Sequence, residues 1–390
     1  MSVNTLSIEQ AYSLIKSIHD QATGKTALTP TNPSDFVSVA TKTLATGYDT
    51  VLNAISQVLT RTMIAVRPFE GSFNGLDMTG DRWGAITRKI SFGDVDPAAE
   101  DTYALVNGSS VDDMTVRKVP TLETHYYGSL VYSDHITIYT RQLDVAFQSP
   151  EEFGRFMAGL MTHWSNIRRQ WLNDQKRMIV NNFISGKNAL NSDVIHLLTE
   201  YNTATGMTPP LTAITVMQPG NYKPFMEWVF ARVAGISRLM TERSELFQEK
   251  ITGYDINRHT PLVDQRVYMS ADFLEAMRAM VLADTYHDSF LTYSDVEPVS
   301  YWQAIQAPRQ ISTTPVYIDN TGAVTVGTAQ VINNVVGVLF DRDAMGFNIS
   351  QDEVVSSHYN AGGQYYNLWY HFRGQWQNDF TEKGVVLLMD

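Results

Sequence analysis

The most regular pattern in the chain runs over residues 153–183. Apolar side chains recur there at three- and four-residue steps, at Phe153, Phe156, Met157, Leu160, Met161, Trp164, Ile167, Trp171, Leu172, Met178, Ile179 and Phe183. That spacing lines one face of an α-helix. Ser149-Pro150-Glu151-Glu152 supplies an N-cap, a proline at the first helical position and a carboxylate three residues after the cap, which together satisfy free N–H groups and start a helix. Gly186 is the expected stop. The spacing predicts a spine helix over about 150–185, a rod of roughly 50 Å. Its other face collects Arg155, Arg169, Lys176 and Arg177, so one side is expected in a core and the other exposed and basic.

Before this helix the pattern changes twice. Residues 8–18 and 36–64 carry helical periods, separated by Thr29-Pro30-Thr31-Asn32-Pro33-Ser34; two helices on such a breaker make an arm more readily than a core. From Trp83 the period is strand-like, with Ile86, Ile90 and Phe92, and it resumes from Met114 through Val116, Val119 and Tyr126 to Ile136 and Ile138. Between them, residues 93–113 hold Asp94, Asp96, Glu100, Asp101, Asp112 and Asp113 and no basic residue, with a turn at Asn107-Gly108. Arg82, Arg88, Lys89, Arg117 and Lys118 flank that stretch. The pattern predicts a long projecting hairpin with an acidic tip.

After Pro209-Pro210 helical and strand patterns mix: a helix near 225–246, a strand at 267–269, a helix over about 271–283, and strands near 299–302 and 316–318. This predicts a separate α/β lobe. A turn at Asp319-Asn320-Thr321-Gly322 leads into strands at 331–340, 354–358, 365–372 and 385–389. The overall class is α+β.

Composition removes several functions. Without cysteine there is no disulfide framework, thiolate metal site or cysteine nucleophile. The 29 basic against 41 acidic residues give a net charge of −12, which opposes general nucleic-acid binding. The N-terminus lacks a basic segment followed by an apolar core, and no uncharged apolar run approaches the roughly 18 residues of a membrane span; cytoplasmic synthesis and no membrane partner are expected. Gly24-Lys25-Thr26 resembles the end of a phosphate loop, but His19 stands where the earlier glycine is needed. Asp341-Arg342-Asp343-Ala344-Met345-Gly346 with Asp352 imitates a calcium loop, yet Met345 occupies a ligand position and the flanks read as strands. The nine histidines are scattered, none in a metallohydrolase spacing. No catalytic, cofactor-binding or metal site is expected.

A two-stranded hairpin alone seldom buries enough area to be stable. Acidic and basic protrusions on one chain suit head-to-tail docking between copies. Asp94, Asp96, Glu100, Asp101, Asp112 and Asp113 are therefore expected to meet Arg155, Arg169, Lys176 and Arg177 of a neighbour.

The order of arm, long hairpin, long helix, α/β lobe and return strands resembles that of the major capsid proteins of tailed bacteriophages, whose fold also forms the floor of herpesvirus capsids. Local strings strengthen the resemblance: Arg258-His259-Thr260-Pro261, Ala271-Asp272-Phe273-Leu274, residues 335–346, and residues 359–370 leading through Asn378-Asp379 to 385–388. The resemblance implies an N-terminal arm (1–70), an E-loop hairpin (71–135), a peripheral P-domain (136–205 and 331–390, with the spine helix) and an axial A-domain (206–330). It implies a structural subunit that self-assembles into hexamers and pentamers of an icosahedral head in the host bacterial cytoplasm. It also implies portal and scaffold partners and packaged double-stranded DNA bound without sequence specificity. Because the arm follows Met1 almost directly, a separate scaffold protein is expected. Relatives that link subunits covalently use an E-loop lysine; here only Lys89 and Lys118 fall in that region, both near the hairpin base. Two alternatives are a cargo-enclosing nanocompartment shell, which shares the fold, and a cytoplasmic α+β enzyme with a distributed site.

Overall fold

The computed structural model describes residues 7–26, 29–65, 73–78, 86–94, 106–108, 114, 116, 118–127, 130–281 and 296–390. Helix α1 (Ile8–Thr23) opens on a capping box between Ser7 and Gln10 and closes on Gly24. Helix α2 (Pro33–Leu44) starts behind an Asn32 cap. Helix α3 (Tyr48–Ala65) follows at once, so the single helix expected over 36–64 is two. Gly47, at φ 97°, makes the break in a left-handed conformation that side chains resist. Strands β1 (Ile86–Phe92) and β2 (Thr121–Tyr127) form the hairpin, and β3 (Leu130–Tyr139), α4 (Thr140–Ala146) and α5 (Pro150–Leu190) come next. The chain continues through β4 (Val194–His196), α6 (Leu197–Thr205), α7 (Pro219–Thr241), β5 (Gln265–Ser270), α8 (Ala271–Val281), β6 (Val296–Val299), β7 (Ile311–Thr313), β8 (Val316–Ile318), β9 (Val324–Val326) and β10 (Gln330–Ile332). It ends in β11 (Val335–Asp341), β12 (Met345–Ser356), β13 (Tyr365–Asn378) and β14 (Gly384–Leu388).

The spine helix α5 is 41 residues long and runs past its expected stop. Gly186 lies inside it because a Cβ there would come within 2.5 Å of the Phe380 ring; the glycine answers a close approach, and Asn191 in the left-handed region ends the helix. The N-terminal half of α5 buries Phe153, Met157, Leu160 and Trp164 in one core, and the C-terminal half buries Leu172, Ile179, Val180, Phe183 and Ile184 in another.

The first core lies between α5, helices α1 to α3 and a three-stranded antiparallel sheet of order β12-β13-β3. The N-terminal helices are thus core elements, where the breaker run suggested an arm. Phe36 packs on Phe153 with ring centroids 5.7 Å apart, and Tyr12 packs on Phe36 at 6.1 Å.

The second unit is a five-stranded sheet of order β4-β14-β11-β5-β6. Two of its three inner strands, β14 and β11, come from the tail; β14 pairs with β4 and β11 with β5, both from the middle of the chain. All five residues of β14 are buried, as expected for a strand covered on both faces. Val385 and Leu387 face α6, α7 and α8, while Val386 and Leu388 face α5. The single strand expected over 331–340 is interrupted at Asn333-Asn334, where Asn334 has φ 56°, so β10 pairs with β7 and β11 enters the larger sheet.

Trp164 is 3% exposed, its ring 4.8 Å from that of Tyr370. Trp171 is only half-buried and stacks on Phe372 at 5.3 Å. Trp164→Ala is expected to lower subunit stability by about 3–5 kcal/mol in urea unfolding, with a smaller loss for Trp171→Ala.

Candidate assembly interface

The hairpin is a regular antiparallel ribbon, pairing Ile86 with Tyr127 at one end and Phe92 with Thr121 at the other. Alternation along β1 turns Arg88, Ile90 and Phe92 outward, with Phe92 67% exposed, and turns Lys89 and Ser91 toward the body. Of the six acids expected at the tip, Asp96, Glu100, Asp101, Asp112 and Asp113 lie outside the described residues. Asp94 is described and is engaged within its own chain. Its carboxylate accepts from the Arg243 guanidinium and from the Asn257 N–H at 3.0 Å, and its own N–H donates to the Asp255 carbonyl at 2.7 Å.

The basic face of α5 divides. Arg155 is exposed and pairs with Glu152, one turn back, and Arg169 is also exposed. Lys176 and Arg177, expected on that exposed face, are buried. The Lys176 ammonium lies 2.7 Å from Asp77. The Arg177 guanidinium lies 3.6 Å from the Tyr301 ring centroid and donates to the Tyr301 carbonyl. The physical reason is the strap at residues 73–78, which crosses this half of the helix with Phe73 and Leu76 buried and the Met78 N–H bonded to the Phe347 carbonyl. A buried cation needs such partners, and the strap and the 301–302 loop supply them.

The residues that hold the hairpin to the body form a cluster missed by the sequence reading. The Lys89 ammonium donates to Asp379 at 2.7 Å and to Glu382 at 2.5 Å. Glu382 also pairs with Arg258 at 3.0 Å, and Arg258 donates to the Ser91 hydroxyl at 2.8 Å. Two cations meet two anions, and the carboxylates are nearly inaccessible, at 1% and 8%. Burial disfavours the Lys89 ammonium, but Asp379 and Glu382 outweigh it and raise its pKa above the usual lysine value. Burial likewise opposes the charge of Asp379, yet Lys89 and hydrogen bonds from Lys89 and Thr381 hold its carboxyl below the usual range. Glu382 goes the other way, because burial outweighs Lys89 and Arg258. Burial and the Asp379 charge push the Tyr126 phenol well above its ordinary value. The sequence signal was faint: one lysine on the inward face of β1 beside the small residues Ser91 and Gly93, and two acids in the turn before the last strand.

No group of metal-binding side chains occurs among the described residues. Two larger grooves flank the cluster and the helix. One, of about 770 Å³, is lined by Phe92, Arg243, Arg258, His259, Arg342 and Glu382; the other, of about 450 Å³, lies between α5 and the 313–316 segment.

Over residues 13–379 the sequence matches the family of Phi29-like phage major capsid proteins. The chain belongs to that family. It is a structural, non-enzymatic component of the virion that forms the icosahedral phage head, and it assembles with copies of itself. The capsid protein's fold is also that of solved phage structures. The capsid structure of Staphylococcus phage Andhra matches with a TM-score of 0.55 at 12% identity, covering 83% of this chain and 86% of that one. A chain in the structure of the head fiber and inner core protein of native bacteriophage P68 matches with a TM-score of 0.55 at 11% identity, covering 82% and 85%. No curated protein matches the sequence.

The depressed pKa of Asp379 carries a sign for the capsid protein's acid stability. A carboxyl held below its unfolded value adds stability above that value and loses it as the pH falls through the folded one. Wild-type subunits are expected to lose stability from about pH 4 downward, and Asp379→Asn should flatten that limb. Urea unfolding of unassembled subunits at a series of pH values measures both.

Proposed function

We propose that the capsid protein builds hexamers and pentamers by laying its hairpin on a neighbouring subunit. In that reading residues 1–70, whose helices pack into the first core, correspond in chain order to the family's N-terminal arm, and 71–135 to the E-loop. Residues 136–205 with 331–390 correspond to the P-domain, and 206–330 to the A-domain. The observation that carries it is the apolar surface of the ribbon. Ile90 is 43% exposed, Phe92 67%, Val116 79% and Val119 48% in the single subunit. A ribbon of two strands has no interior in which to place them, and a second copy does.

The acids that sequence places between 95 and 113 fit the still-exposed Arg155 and Arg169 of a neighbour's spine helix. Asp94, Lys176 and Arg177 are held inside their own chain and play no part in this contact. The net charge of −12 suits a lumen on which packaged double-stranded DNA can slide. A portal and a separate scaffold protein complete the proposed set of partners.

Two measurements test this. Neutralising Asp96, Glu100, Asp101, Asp112 and Asp113 together to Asn or Gln should lower the shell yield seen by negative-stain microscopy, while subunits stay folded. Each exposed pair contributes only about 0.2–1 kcal/mol, so the loss is collective and the wild-type yield should also fall with salt. Wild-type yield from the neutralised variant would reject the electrostatic contact. Mature particles should give unlinked subunits near 43.9 kDa in denaturing mass spectrometry. An amine must be deprotonated to attack an amide, and the carboxylates around Lys89 keep it protonated. A covalent ladder would overturn that expectation.

A further inference from the structure

We infer that Lys89 is a positioning residue: the ion cluster at the hairpin root sets the direction of the ribbon within the free subunit, before any neighbour touches it. The cluster joins three distant stretches of chain: β1 through Lys89 and Ser91, the turn between β13 and β14 through Asp379 and Glu382, and the loop before β5 through Arg258. A single attachment would leave the ribbon free to swing. There is a second, where Asp94 holds Arg243 and the Asn257 and Asp255 backbone. Lys89 and Asp94 stand five residues apart, about 16 Å along an extended chain. Two fixed points at that separation define an axis.

The packing agrees with a fixed root. A Cβ on Gly93 would come within 2.5 Å of the Pro120 ring, and the Gly93 N–H donates to the Pro120 carbonyl at 2.7 Å. The two strands are closed on each other beside Asp94. Gln375 in β13 reaches the Tyr126 carbonyl from beneath β2. Ordering the ribbon in advance lowers the conformational cost of each subunit–subunit contact, since less freedom remains to be lost on association.

The inference concerns the free subunit, so hydrogen exchange on full-length unassembled subunits tests it independently of hairpin docking. Backbone amides of β1 and β2 should be protected in the wild type. In Lys89→Met they should exchange about tenfold faster while amides of α5 keep their rates, and Lys89→Arg should restore most of the protection. Glu382→Gln leaves the lysine one carboxylate and gives a milder variant should Lys89→Met fail to fold; it should show a smaller acceleration confined to the ribbon. Wild-type ribbon amides exchanging as fast as an unstructured peptide would overturn the inference, as would unchanged protection in the folded variants. Loss of ribbon protection in Lys89→Met with shells forming at the wild-type rate would support the preset root and reject the docking reading instead.

Discussion

The architecture depends on one helix serving two cores. The first half of α5 closes the interior formed by the N-terminal helices and the three-stranded sheet, and the second half closes one side of the five-stranded sheet. Trp171 packs against residues of both. Because packed interiors transmit strain, the two sheets cannot change their relative position without repacking this helix. A structural subunit that must repeat one geometry many times gains from such a beam.

Charge is handled differently at the two ends of that beam. Arg155 and Arg169 remain in solvent, where ion pairs are weak and screened. Lys176, Arg177 and Lys187 of the helix lie in the interior, as does Lys383 in the turn before β14, each with dedicated partners: Asp77, the Tyr301 ring, Asp193, and the Ser244 and Leu246 carbonyls. Buried cations of this kind add little net stability compared with apolar residues, but removing one partner is costly. They make the fold selective about which segments may lie beside which.

Much of this was legible in the sequence where the determinants are local. Caps, proline and a long apolar stripe announced α5, and apolar alternation announced the pairing of β1 with β2. The capsid resemblance rested on element order. What was not legible depends on contacts distant along the chain. Lys89 and Asp379 are 290 positions apart, and nothing in the neighbourhood of either indicates the other. The period of α5 put Lys176 and Arg177 on the face away from the main stripe, but it could not say that residues 73–78 would cover them. Gly186 read as a stop because glycine inside a helix costs stability; the Phe380 ring against it is a tertiary reason to keep it. The insertion of β11 and β14 into the lobe's sheet was invisible for a related cause, since strand pairing has no local signature beyond alternation.

That insertion orders events during synthesis. In the sheet β4-β14-β11-β5-β6, the strand made last lies between one made before residue 200 and one made near residue 340. Until residues 384–388 leave the ribosome, β4 has no partner, the apolar edge of β11 is bare, and α5 lacks much of its second core. Pairing of that range is slow and leaves sticky surface exposed meanwhile. The second core and the inner edge of β11 therefore stay open until β14 is in place, so the last strand made is also the one that closes the body.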